Sequence, residues 1–457
     1  MRIIICGAGR VGTGIARRLA AENNAVTMVD QSKELVRSVT DRLDVRGVVG
    51  NGAYPETLAE AGAREADMLI AVTYSDEVNM VACQVAHSLF NVPTKIARLR
   101  ASGYLDPQYS DLFSRDHLPI DVIISPEREV SEAIMQRMAT PGAFETKSFV
   151  DGAVLAVGVK LKEDCPILNS PLRQVAELFP HLKITIVAIN RDGRIWRVHA
   201  DDQLYAGDAI YFIADRNDVA RALDIMGQAE RQARRVIIVG GGNIGLHVAT
   251  GLEKISATKI RLIERDRARA ERIAEDLERT IVLQGDGLDR ALLREAGVEE
   301  TETVVAVTNN DQVNILACVV AKREGARRAM ALINEQDYGP ISEAVGVDRF
   351  VDPRSTTIST ILQHIRRGRI KGVFSLYDGE AELIDAIALE TSPLVNKPLS
   401  EAELPEGVMI GAIYRDGKVS MPNSETVIKP GDRVVLMALK DYVKDVEQMF
   451  RVSIDYF

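Results

Sequence analysis

The sequence predicts an α/β protein made of two doubly wound parallel sheets, each followed by a small α+β module, so that one plan is written twice. Three observations carry that prediction. Short apolar runs alternate with stretches of 3.6-residue hydrophobic period, the pattern of parallel strands joined by crossover helices. The run IIICGAGRVG at 3–12 returns as VIIVGGGNIG at 236–245, and IAVTYSDEVNM at 70–80 returns as VAVTNNDQVNI at 305–315. Behind each unit the pattern changes to short β runs, and AGDAIYFIA at 206–214 returns as PGDRVVLMA at 430–438.

Taken in order, the first unit places strands near 2–6, 25–29, 46–49, 68–72, 94–98 and 121–124, with helical patterns between them such as Val78, Val81, Ala82, Val85 and Leu89. The second places strands near 235–239, 259–263, 280–283, 303–307, 329–333 and 349–351. Each unit ends where a capping residue precedes a proline, Ser125-Pro126 and Asp352-Pro353, which is a strong helix start. The helices that follow carry apolar stripes, Val130, Ala133, Ile134, Met138 and Ile358, Ile361, Leu362, Ile365. They are expected to pack on their own domain and to reach a neighbouring subunit. In the modules, Asp192-Gly193 and Asp416-Gly417 read as tight hairpin turns. The resulting division is 1–124, a helix at 125–144, a module at 145–225, a linker at 226–232, then 233–351, a helix at 352–371 and a module at 372–457. A basic cluster at 364–371, with Arg366 and Arg367, reads as a solvated helix end favoured by the macrodipole.

The glycines point to a ligand. Gly7, Gly9 and Gly12 recur as Gly240, Gly242 and Gly245, each set between an apolar strand and a helical pattern, and an acidic residue, Asp30 or Glu264, closes the next strand. In a Rossmann-like fold the first glycine makes the turn, the second admits a pyrophosphate and the third lets helix and strand approach. The helix starts, Ala8, Arg10 and Val11 in one copy and Asn243 and Ile244 in the other, then aim backbone amides at phosphate. The carboxylates suit adenosine ribose hydroxyls, which favours NAD(H). Asn51 and Asp286 follow strand three, where they face the adenine edge or cap their loop. Thr73 and Thr308 end strand four, where they face the distal half of the ligand or, again, cap a loop. At the end of strand five, alternation puts Arg98 and Arg100 on one face; the second copy has Leu332 and Asn334. An arginine pair can fork onto phosphate oxygens, so the first site is expected to accept ATP or ADP as well, unless the two are ordinary surface residues.

Composition narrows the class. A length of 457 residues exceeds one core, and 46% hydrophobic with 27% charged residues is ordinary globular usage. A net charge of -10 argues against nucleic acid as a partner. No apolar run approaches the roughly 18–20 residues that span a bilayer, and Met1 leads directly into a strand, so a cytosolic, reduced protein without a leader is expected. Cys6, Cys83, Cys165 and Cys318 show no metal spacing and read as small buried hydrophobes. The 6 histidines have no counterparts between copies, and no nucleophile–base or metal constellation stands out. Duplicated binding without duplicated chemistry suggests a sensor and not an enzyme. The alternatives are a soluble NAD-dependent oxidoreductase with an unrecognised acid–base group, and a ligand-independent scaffold.

On these residues the chain resembles, over its whole length, the TrkA family, the cytoplasmic nucleotide-binding subunits of bacterial potassium uptake systems. Each half resembles an RCK domain followed by its C-terminal subdomain. The resemblance rests on 1–12, Asp30, the stretch GNGAYPETLAEAGAREADMLIAVTYSDEVNM at 50–80, IARLRASGY at 96–104 and their second copies. One departure is Asn51, where such domains usually carry Asp, as at Asp286. The resemblance implies a homo-oligomer, most simply a tetramer, docked on the inner face of the cell membrane against a potassium-channel subunit of the TrkH/TrkG type, with nucleotide binding biasing the gate.

Overall fold

The computed structural model describes residues 1–450 except 180–181, 229, 231, 256, 336–337, 339–340, 342–343 and 366–368. Arg366 and Arg367 of the basic cluster, and the side chain of Ile365, therefore lie outside the described residues. In the first half, Arg2–Cys6 (β1), Ala25–Asp30 (β2), Arg46–Val49 (β3), Met68–Ala71 (β4), Thr94–Arg98 (β5) and Val122–Ile124 (β6) form one sheet in the order β3-β2-β1-β4-β5-β6. Every pairing in it is parallel. Helices cover both faces of such a sheet, which is why Ile3, Ile4 and Ile5 run apolar without alternation and are all buried. Strand order reverses between β1 and β4, and that switch point opens a crevice at the C-terminal strand ends.

The first module is an antiparallel sheet of Glu145–Phe149 (β7), Val154–Lys160 (β8), Ile184–Arg191 (β9), Arg194–Arg197 (β10) and Ala209–Asp215 (β11), in the order β10-β9-β11-β8-β7. The second half repeats both sheets. Arg235–Val239 (β12), Lys259–Glu264 (β13), Ile281–Gln284 (β14), Thr303–Ala306 (β15), Arg328–Leu332 (β16) and Arg349–Val351 (β17) are ordered β14-β13-β12-β15-β16-β17. Ile370–Leu376 (β18), Ala381–Ile387 (β19), Val408–Arg415 (β20), Lys418–Ser420 (β21) and Arg433–Leu439 (β22) are ordered β18-β19-β22-β20-β21. The two module sheets share a core: Phe149, Val154, Val187 and Tyr211 lie in one apolar cluster with Leu376, Leu383, Val435 and Met437.

The chain divides into two compact units, Met1–Val130 with Asp352–His364, and Ser131–Val351 with Ile365–Phe457. This division corrects the expected packing of the helices that end each half. The helix Pro353–Ile365, from the second half, belongs to the unit of the first sheet. Gly14, on the helix Arg10–Ala21, leaves a notch that Ile358 fills; any side chain there would overlap its methyl end. In the same unit Thr360 donates its hydroxyl to Glu129 at 2.9 Å. Reciprocally, the later turns of the helix Pro126–Ala139 sit in the unit of the second parallel sheet. There Met135 occupies a notch at Gly251, and Ser131 donates to the carbonyl of Ile244 at 3.3 Å. Ile134 and Met138 are buried in the unit of the second parallel sheet and Ile361 and Leu362 in that of the first, each against the partner half of the same chain. A glycine inside a helix forfeits about 1 kcal/mol relative to alanine, and the close approach of the exchanged helix offsets that loss.

Both modules are pinned by one device. In β9, Arg191 forks onto Asp208 with Nε–Oδ1 2.7 Å and Nη2–Oδ2 2.8 Å, and in β20 Arg415 forks onto Asp432 at 2.7 and 2.5 Å. The carboxylates are 1% and 2% exposed, and each also accepts a backbone amide, from Tyr205 or Lys429, at 2.8 Å. The arginine directly precedes the hairpin turn, whose central residues Asp192, Gly193 and Asp416, Gly417 all have positive φ, the geometry of a type I′ turn. The repeated Arg-Asp-Gly and Gly-Asp segments are thus two ends of one ion pair. Removing one partner of such a pair strands the other, so Asp208→Ala or Asp432→Ala should destabilise its module by roughly 3 kcal/mol. A lowered urea midpoint would show this, and Arg191→Met with Asp208→Leu should recover much of the loss.

Candidate functional site

The crevice in each half is built on its glycine turn. Gly7 has φ +113°, donates its amide to Val29 O at 2.7 Å, and would meet the backbone of Val72 at 2.9 Å if it carried a side chain. A side chain at Gly12 would overlap the carbonyl oxygen of Gly7. Gly240, at φ +107°, and Gly245 repeat both situations, the latter against the carbonyl oxygen of Gly240. The middle glycines differ. A Cβ at Gly9 or Gly242 would have nothing within 4 Å. The chain's own packing explains the first and third glycines and leaves the second open, which is the cradle a pyrophosphate needs. Gly9 and Gly242 are the N-caps of their helices and offer no side-chain cap. The first intrahelical bonds run from Thr13 N to Gly9 O and from Leu246 N to Gly242 O, both at 2.9 Å. The amides of Arg10, Val11 and Gly12, and of Asn243, Ile244 and Gly245, lie ahead of those bonds, at the positive end of the helix dipole.

The acidic residues close on the same turn. Asp30 accepts from Ala8 N at 2.7 Å and from Ser32 N at 2.8 Å. Glu264 accepts from Gly241 N and Asp266 N, both at 2.8 Å. Each carboxylate oxygen has a second lone pair, so both residues can hold the turn and still accept a hydroxyl. Asn51 and Asp286 take the loop-capping role: their Oδ1 atoms accept from Ala53 N and Leu288 N, each at 2.9 Å.

Thr73 and Thr308 are committed to a pair of asparagines that the sequence reading did not single out. Their hydroxyls donate to Oδ1 of Asn79 and Asn314 at 2.7 Å. These asparagines are fully buried and reach on to the carbonyls of Arg98 and Leu332, each at 2.9 Å. One turn earlier, Asp76 accepts from the amides of Arg100 and Ala101, and Asp311 from those of Asn334 and Glu335. The VTxxDxxN repeat is therefore a clamp tying the end of strand four to the loop beyond strand five. Its signal was the recurrence of Asp and Asn, behind a shared Ala-Val-Thr, in the two stretches.

The arginines are not related as strand alternation suggests. Strand β5 ends at Arg98, so Arg100 lies in the following loop. There its Nε donates to Glu127 at 3.3 Å and its guanidinium stands 4.8 Å from the Tyr74 ring. Arg98 has a buried Nε with no acceptor among the described residues, and that burial lowers its pKa. In the second copy Leu332 is buried and Asn334 is bound to Asp311 at 2.8 Å. The thiols take no part: burial pushes Cys6 and Cys318 up to about 12 and raises Cys83 further.

Comparison with known proteins bears on both halves. The TrkA-N domain matches residues 3–126 and 236–353, and the TrkA-C domain matches 156–227 and 384–451. Over full length on both sides, the chain is 54% identical to the Trk system potassium uptake protein TrkA of Azorhizobium caulinodans and 40% identical to that of Halomonas elongata. Among solved structures it resembles the GsuK channel (TM-score 0.62, 18% identity, 98% of this chain and 78% of that one). The GsuK channel bound to NAD gives a TM-score of 0.60 at 17% identity with the same coverage. At such identities the likeness is one of fold. The relatives and the paired domain matches, read with the duplicated sheets, show that the chain belongs to the TrkA family of Trk system potassium uptake proteins.

Proposed function

We propose that this chain is the nucleotide-sensing regulatory subunit of a Trk-type potassium uptake system, binding NAD(H) in both crevices and ATP or ADP in the first. The observation that carries the reading is the open middle glycine, Gly9 and Gly242, in a turn whose other glycines the chain itself requires. The TrkA relatives are named for potassium uptake, and a channel sharing the fold is described as bound to NAD. No described helix is long and apolar enough to cross a membrane; in this reading a channel subunit of the TrkH/TrkG type supplies the pore, and the chain docks on it from the cytoplasmic side. It does so as a homo-oligomer, most simply a tetramer. Val81 and Leu316, at the same repeat position, are 45% and 51% exposed, and Tyr74 is 84% exposed, so both halves present apolar surface of the kind symmetric assembly covers.

Coupling follows from where the ligand would sit. The helix Arg10–Ala21 faces the pyrophosphate with its first turn and holds Ile358 of the exchanged helix at Gly14. A ligand drawing on that first turn acts on a helix that belongs to the other half of the chain. It shifts the gate only to the extent that it binds two arrangements with different affinity. Affinity capture from detergent-solubilised membranes should bring down a multi-spanning channel protein; capture of the chain alone would overturn the partner.

Gly9→Ala should fold as the parent does but lose at least about tenfold in NAD(H) affinity at the first site, close to 1.4 kcal/mol. Gly12→Ala should fail to fold stably. Asp30→Ala should weaken the same binding by roughly 1–3 kcal/mol, the worth of hydrogen bonds to a charged acceptor. Titration calorimetry beside thermal melts separates these effects, and wild-type affinity in Gly9→Ala would remove the pyrophosphate from this turn. For phosphate number, Arg98→Ala with Arg100→Ala should weaken ATP at the first site far more than NADH. Equal ATP affinity in parent and variant would make these arginines structural.

A further inference from the structure

A cleft of about 20 Å³ lies at the opposite edge of the second parallel sheet, where β15, β16 and β17 begin. That is room for one body of water or chloride size. It is lined by Arg137, Arg328 and Arg349, by the hydroxyl-bearing Thr303, and by Met138 and Met330. Arg137 and Arg328 are shielded, with side chains 14% and 19% accessible.

The charges around it do not balance. Arg137 is bound to Glu145 through Nη2 at 2.8 Å, and Arg328 to Glu230 at 2.7 Å. Asp348, the one carboxylate on the wall, is neutralised by Lys322 at 2.6 Å and the amide of Ala329 at 2.7 Å. Each carboxylate thus has its own cation. Arg349 feels the charge of Glu230 and Asp348 but makes no ion-pair contact with either among the described residues, where its hydrogen bond goes to the carbonyl of Arg137 at 3.3 Å. Nη1 of Arg137 is buried without an acceptor among the described residues. A surplus guanidinium and an unmet N–H thus line a space the size of one small ion.

The parent fold does not ask for this arrangement. At the matching positions around the first sheet stand Thr94, Val122 and, on the exchanged helix Pro353–Ile365, His364. We propose that the cleft is a binding site for a small monovalent inorganic anion of chloride size, held by Arg349 and by Nη1 of Arg137. Guanidinium N–H groups supply charge-assisted donors, and the methionine walls suit a polarizable, weakly hydrated halide. The anion joins the starts of β16 and β17 to the last turn of the helix Pro126–Ala139, which leads into β7 and the first module. Its occupancy therefore stiffens the joint between the second nucleotide-binding domain and the module core, independently of any nucleotide.

The test uses the full chain, crystallised without halide and soaked in sodium bromide. An anomalous bromine peak is expected within hydrogen-bond reach of Arg137 Nη1 and Arg349. In solution, bromide replacing gluconate at matched ionic strength should raise Tm saturably, by on the order of 2 °C. Arg349→Met should abolish both. Water density alone in the cleft, or a bromine peak and Tm shift unchanged in Arg349→Met, would overturn the proposal. Should that variant not fold, the bromine map of the parent chain decides.

Discussion

The contact on which the site depends is between two pieces of backbone. The carbonyl oxygen of Gly7 lies so close to Gly12 that no Cβ fits, and Gly240 stands in the same relation to Gly245. That approach presses the first turn of a helix onto the end of a strand and fixes the direction of its amides. It also fixes the opposite flank of the helix, where Gly14 receives Ile358. The direction of those amides and the seat of the exchanged helix therefore both depend on one close packing. A single methyl group at Gly12 would disturb both at once.

How much the sequence disclosed depends on whether a feature is local. The glycine spacing, the acidic residues closing the second strands and the Asp-Gly hairpins were legible, because each is imposed by backbone geometry within a few residues. Asn51 and Asp286 were placed correctly, but their choice of Ala53 N and Leu288 N needed the loop itself. Asn79 and Asn314 were readable in principle, since they recur, yet their partners lie across the sheet at Arg98 and Leu332. The exchange of the helices was not legible from their stripes, because an apolar stripe is the same whichever surface covers it. Its trace lay elsewhere, in Gly14 and Gly251, small residues inside helices where propensity alone would place something larger. Arg100 shows the reverse error: alternation was extended two residues past Arg98, where the strand stops.

Duplication makes the differences between copies informative, since whatever the fold requires appears twice. The fork of arginine onto a buried aspartate appears in both modules, as does the Asp–Asn clamp behind each crevice. Arg98, with its buried Nε lacking an acceptor, appears once, and its counterpart Leu332 is apolar and buried. A guanidinium held that way is costly in a free protein, and the fold can do without it. The two crevices share a scaffold but not a charge, so if they bind nucleotides as proposed they should not rank them alike.

The exchanged helices give that inequality a mechanical meaning. Were each terminal helix to pack on its own domain, a ligand in one crevice would act only on the half that bound it. Instead the helix Pro353–Ile365 sits in the unit of the first sheet, and the later turns of Pro126–Ala139 sit in that of the second. Each leads directly into the module of its own half, at β18 or β7. Ile358 thus ties the helix of the first glycine turn to the helix that precedes the second module in the chain, and the modules share one apolar core. Close-packed cores pass displacement on with little absorption. Under the proposed nucleotide-sensing role, the two ligand states would be added in one place, provided that each ligand discriminates between arrangements of the helix it touches.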